Sequence, residues 1–164
     1  MKVVPLFNGR KESIMQKYEI EMVGRRQKRV KALRDFGNVK AGSLGGIVSS
    51  ERNLSQNGDC WISYDSKVLE YALVEDDAQI LEGSTIKGNA LILGKSVIIN
   101  SNVSGRTMVN GESVVSQSNI KGYAIIENSK VDNCEIRDSR DIENEELKDM
   151  VLLDTLRAKK ISEE

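Results

Sequence analysis

The chain has no histidine, one proline, two cysteines and only 4% aromatic residues among its 164. Without an imidazole, Ser-His-Asp and Cys-His centres and three-histidine metal sites are excluded. With Pro5 alone, no proline-rich linker divides the chain. No apolar run approaches the ~18 to 20 residues that would span a bilayer, and charged residues make up 30%. No membrane association is therefore expected. Residues 1–10 lack the basic-then-apolar pattern and cleavage site of a secretory signal, which predicts a cytoplasmic protein. At 18.2 kDa there is room for one domain with a real core.

What is present is unevenly distributed. Residues 1–41 carry a net charge of +7, residues 42–140 of −4 and residues 141–164 of −4, so a basic front and an acidic tail flank a mildly acidic middle. In the middle a small residue stands two places before an aliphatic one, every six positions: Cys60/Ile62, Ser66/Val68, Ala72/Val74, Ala78/Ile80, Ser84/Ile86, Ala90/Ile92 and Ser96/Ile98. A helical period of 3.6 does not generate this spacing. Short strands separated by turns do, because both members of each pair then point inward and the residue between them points out. Gly83, Gly88, Gly94, Asn89 and Asp76/Asp77 fall in the turns, as tight or left-handed backbone requires.

Three such sides make an 18-residue coil, stacking Ile62, Ile80 and Ile98, with neighbouring coils paired as parallel strands ~4.8 Å apart. Near the corner of so narrow a prism only Ala, Ser, Cys or Thr fits, while the aliphatic partner fills the axis. This is the hexapeptide pattern of left-handed parallel β-helices, an all-β fold. Beyond Ile98 the pairs Ser101/Val103, Thr107/Val109, Ser113/Val115, Ser118/Ile120, Ala124/Ile126, Ser129/Val131 and Cys134/Ile136 mix steps of five with steps of six. Coils that shrink from 18 to 17 and then 16 residues are expected, in preference to a four-sided, pentapeptide-like end.

The solenoid needs caps over its strand edges. Tyr18, Ile20 and Met22 alternate with Glu19 and Glu21, Gly24-Arg25 turn, and Val30 to Leu33 return, which predicts a hairpin over the first coil. Asn144 to Lys160 is rich in helix formers and lacks Gly and Pro, which predicts a C-terminal α-helix with two apolar sides, one of them Leu152, Leu153 and Leu156. The expected organisation is a basic cap over 1–43, a solenoid over 44–140 and an acidic amphipathic helix over 141–164.

Between hairpin and repeat runs Val30-Lys-Ala-Leu-Arg-Asp-Phe-Gly-Asn-Val-Lys-Ala-Gly-Ser-Leu-Gly-Gly-Ile-Val48, followed by Asn53-Leu54-Ser55 and Gly58-Asp59-Cys60-Trp61-Ile62. This stretch resembles the YdcK-type β-solenoid family of bacteria and their phages and prophages, over roughly residues 18–126. The resemblance implies a fold like that of left-handed β-helix acyltransferases, a bacterial host cell, and a phage- or prophage-derived protein acting on a host partner. It brings no catalytic motif.

Hexapeptide acyltransferases employ a histidine as general base, and none is available here. Glu70, Asp76 and Glu82 stand at outward turns, where water keeps a carboxylate ionised. Cys60 and Cys134 occupy inward small positions about four coils apart, on the order of 20 Å, and read as packing residues. Trp61 reads as cap packing beside the solenoid entrance. The basic run Arg25, Arg26, Lys28 and Arg29 is a candidate for meeting an anion or acidic partner, although no aromatic residue interleaves to stack bases. Outward positions on one face give Leu73, Leu91, Met108 and Ile125, one per coil, with Leu93 beside them. A monomer rarely leaves such a stripe wet. Either the C-terminal helix or a second copy is expected to cover it. The expectation is a non-enzymatic binding or assembly module without metal or cofactor, forming a dimer or trimer. Its alternatives are an acyltransferase with a non-histidine base and a nucleic-acid binder or mimic.

Overall fold

A computed structural model describes residues 15–137 and 140–153, which form a parallel β-solenoid of six coils. Strands β1 (Tyr18–Val23) and β2 (Gln27–Ala32) form the expected hairpin. β2 pairs antiparallel with β3 (Leu44–Val48), and β3 pairs parallel with Lys67–Val68. The hairpin thus extends one sheet of the solenoid and shields its first strand edge. That face, face one, continues through Thr85–Ile86, Asn102–Val103, Asn119–Ile120, Glu135–Arg137 and Val151–Leu153. Face two stacks Leu73–Val74, Leu91–Ile92, Met108–Asn110, Ile125–Glu127 and Asp141–Glu143. Face three stacks six strands from Trp61–Ile62 to Glu146–Lys148.

Every aliphatic residue singled out by the repeat is buried at the axis, and the small partner beside it is buried as well. Ile62 lies against Ile80, Ile80 against Ile98, and Ile98 against Val115, as the repeat requires. The three faces persist while the coil contracts. Val68 pairs with Ile86, eighteen residues on; Ile86 pairs with Val103, seventeen on; Ile120 pairs with Ile136, sixteen on. The missing residues come from particular corners. Five-residue steps occur at the corner from face three to face one, starting with Ile98 to Val103, and later at the corner from face two to face three, starting with Ile126 to Val131. The corner from face one to face two keeps six residues throughout.

Shortening a corner removes a hydrogen bond. At five of the six-residue corners the small inward residue donates its N–H to the carbonyl three residues back, as Ala72 does to Leu69 and Ser84 to Leu81. At a five-residue corner that amide turns to the serine one coil below. Ser118 N donates to Ser101 Oγ at 3.0 Å, Cys134 N to Ser118 Oγ at 3.0 Å, and Glu145 N to Ser129 Oγ at 3.0 Å. Each of these hydroxyls also donates to a carbonyl of its own corner, for instance Ser118 Oγ to Ser116 O at 2.6 Å. The serines therefore satisfy backbone groups that would otherwise be orphaned in the core.

The expected C-terminal helix is corrected. Glu146–Lys148 and Val151–Leu153 are strands, and the coils continue past residue 140 to Leu153. Leu147 stacks on Val131 and Leu152 on Ile136, both at inward positions. Asp141, Glu143 and Glu146 point outward and are exposed, so continuing the solenoid buries none of these carboxylates. The remainder of the helix reading, including Leu156, lies outside the described residues. No described helix is long and apolar enough to cross a membrane.

Candidate functional surfaces

The junction of hairpin and first coil is built around two buried residues: Lys17, which no pattern singles out, and Tyr18, which opens the predicted hairpin. Lys17 is buried with its ammonium donating to Gly58 O at 3.2 Å, Cys60 O at 3.1 Å and Cys60 Sγ at 3.2 Å, and it lies 5.1 Å from the centre of the Phe36 ring. The Tyr18 hydroxyl donates to Leu54 O and, at 3.0 Å, lies against Glu51 O. Burial pushes the Tyr18 phenol well above its ordinary range, with the Cys60 and Glu51 charges adding to it. Burial likewise raises the Cys60 thiol, partly offset by Lys17. Trp61 is buried edge-on against Phe36, with centroids 5.4 Å apart, so it packs the cap as expected. Gly45 lets β3 lie directly on this pair: a β-carbon there would come within 2.6 Å of the Trp61 ring and of Val30.

The basic run divides in two. Arg25 and Arg26 are exposed at the hairpin turn, and Lys28 is half-buried on β2. Arg29 is held inward: its guanidinium stacks 3.8 Å from the Tyr64 ring centre and donates to Tyr64 O at 2.8 Å and to Gly45 O. It ties the hairpin to the first coil, leaving three cations free to face a partner.

The carboxylates weighed as bases also have structural roles. Glu70, Asp76 and Glu82 sit at corners with φ of 59°, 56° and 52°. Glu70 accepts from Gly88 N at 2.8 Å and Asp76 from Gly94 N at 2.9 Å, each bridging to the next coil. Cys60 and Cys134 are both free and buried.

Leu73, Leu91, Met108 and Ile125 stand in register on face two, and the column ends at Asp141. Leu73, Leu91 and Met108 are partly covered by their neighbours, Ile125 is 36% exposed, and Leu93 lies half-buried beyond Ile92. Leu153 is exposed on the last strand of face one, whereas Leu152 is partly buried against the core, so neither joins this stripe. The stripe is flanked along one corner by Tyr71, 79% exposed, and Tyr123, 59% exposed, with Arg106 lying 5.7 Å from the Tyr123 ring centre. Sequence reading missed these tyrosines. The signal was available, since each directly precedes an inward alanine, Ala72 or Ala124, at the same corner three coils apart.

No protein-family profile matches the chain. It is 37% identical over 67 residues to a protein of Escherichia coli (strain K12) described as "Uncharacterized acetyltransferase YdcK". The match takes in 41% of this chain and 17% of that relative's length. The resemblance to the YdcK-type β-solenoid family thus stands as a partial similarity, joined to a solenoid fold. It corrects one expectation: a relative described as an acetyltransferase points toward an enzyme, against the reading that the chain is none.

Proposed function

We propose that the protein works as a homo-oligomer assembled through face two. One observation carries this: an in-register apolar column, Leu73, Leu91, Met108 and Ile125, flanked by two exposed tyrosines and an arginine, on a sheet that no other described element covers. Aromatic residues, Met and Arg are the residues enriched at protein interfaces, and flat sheet faces pack on one another at about 10 Å. A formal charge of −1 does not oppose self-association. A second copy, in a dimer or trimer, is the occupant this surface fits. The alternation of small and aliphatic inward residues supports left-handed winding of the coils. Light scattering on the whole chain tests the assembly. Leu91→Lys with Met108→Lys is expected to reduce the particle to monomer mass while the circular dichroism stays that of the wild type. An unchanged oligomer, or a monomeric wild type, overturns this reading.

The described acetyltransferase relative favours acyl transfer as a second reading, with the acceptor held between copies. Lacking histidine, such a site suits an acceptor that reaches it already deprotonated, such as an α-amine, whose pKa of about 8 populates the free base near neutrality. Incubation with acetyl-CoA and amine acceptors, following thiol release, is the test. Turnover that disappears in the monomeric variant supports transfer at the interface, and background turnover by the intact oligomer rejects it.

A further inference from the structure

The shortened corner between faces three and one does more than contract the coil. A groove of about 540 Å³ runs along it. Two parallel polar columns line the groove, with Met150 and Val151 at one end. Asn100, Gln117, Asn133 and Asp149 stand at the corner itself, with φ between 44° and 55°. Asn102, Asn119 and Glu135 stand beside them on face one, in register. The side chains of Asn100, Asn102, Gln117 and Asn119 make no hydrogen bond among the described residues, whereas Asn133 Nδ2 donates to Asp149 Oδ1 at 2.7 Å and Glu135 pairs with Arg137.

We infer that this groove binds an extended, uncharged polyhydroxyl chain, that is, a linear oligosaccharide. Four free carboxamides, each offering both donors and an acceptor, match hydroxyls that also donate and accept. No lysine or arginine lines the groove to take an anion, and both carboxylates at its end are already partnered. Spacing decides between a sugar chain and a peptide. The amides recur once per coil, ~4.8 Å, so in an extended β-1,4-linked pyranose chain, whose rings turn over alternately, one ring spans about one coil and like faces return at about every second coil. A peptide strand presents like-facing groups every ~6.7 Å and falls out of step. In a three-sided coil this corner lies opposite face two, so assembly through face two leaves the groove open.

The test is a titration of the full chain with cellohexaose and with chitohexaose, followed by the side-chain amide resonances in ¹H–¹⁵N spectra. At millimolar sugar, Asn102, Gln117 and Asn119 are expected to shift with at least one of the two. Asn102→Ala with Asn119→Ala removes outward side chains that make no hydrogen bond in the fold, and it is expected to keep the wild-type melting curve while binding about tenfold more weakly. No shift with either sugar overturns the inference. So does an equal affinity in the double variant, or an equal response to a serine-rich extended peptide.

Discussion

At the scale of single residues, the choice between serine and alanine at the inward small position follows the coil above it. Serine stands below a five-residue corner because its hydroxyl receives the amide that the shorter turn strands, as Ser118 receives Cys134 N. Ala72, Ala90 and Ala124 belong to the corner that keeps six residues, and the Ala72 amide bonds within its own turn, to Leu69 O. Ser66 and Ser96 depart from this, both standing below six-residue corners; the Ser66 hydroxyl bonds Ser63 Oγ at 2.8 Å, whereas that of Ser96 is buried with no partner. Ser118 and Ser96 are therefore expected to respond oppositely to removal. Ser118→Ala strands a buried amide and a carbonyl and is expected to cost about 1 to 3 kcal/mol. Ser96→Ala deletes an unpaired hydroxyl and is expected to be neutral or stabilising. Urea unfolding of both variants checks this, and equal losses would break the link between serine and short corners.

Among the elements, the hairpin and the last coil show what periodicity conveys and what it leaves out. The hairpin docks on the first coil through Gly45, Lys17 and Tyr18. Gly45→Ala forces a methyl into Trp61 and Val30 and is expected to cost about 1 to 3 kcal/mol through overpacking, read from the shift in the urea midpoint. The same junction sets a pH limit. Tyr18 and Cys60 both have folded pKa values raised above their unfolded ones. Their contribution is therefore complete below the unfolded values, about 8.5 for the thiol and 10 for the phenol, and is lost as pH rises beyond them toward the folded values. Stability is expected to be level from neutrality to about pH 8 and to fall above it; a level profile up to pH 11 would contradict the burial of these groups. The axial residues, the hairpin and the apolar column were legible in the sequence because each follows a regular alternation or a near-constant step along the chain. Lys17 was not, since its partners are mostly backbone carbonyls some forty positions away. Nor was the last coil. There Glu145 and Met150 replace the small inward residue and leave the interior, so a strand-forming stretch carried the composition of a helix. The amide groove was hidden for another reason: its residues come from separate coils and meet only when the coils stack, and no residue type announces it.

For the molecule as a whole, stacking makes the solenoid nearly one-dimensional, each coil resting on the one below and supporting the one above. The N-terminal end is closed by the hairpin, while among the described residues nothing pairs with the outer edges of Asp141–Glu143, Glu146–Lys148 and Val151–Leu153. A charge at the axis should then have consequences that depend on where it is placed. Ile86 is fully buried with coils on both sides, so Ile86→Asp puts an unpaired carboxylate between them and is expected to abolish folding. Its neighbour Lys87 points outward, and Lys87→Asp is expected to change stability by less than about 0.5 kcal/mol. Ile142 is equally buried but belongs to the last coil, which has no rung above it. Ile142→Asp is therefore expected to unravel the strands beyond residue 140 and leave the coils beneath them intact. Hydrogen exchange would read this directly, with amides of 141–153 losing protection while those around Ile80, Ile98 and Val115 keep it. Global unfolding by Ile142→Asp would mean that the last coil is an integral part of one cooperative unit. No loss of protection at all would mean that Ile142 is not at the axis, and the continuation of the solenoid to Leu153 would fail with it.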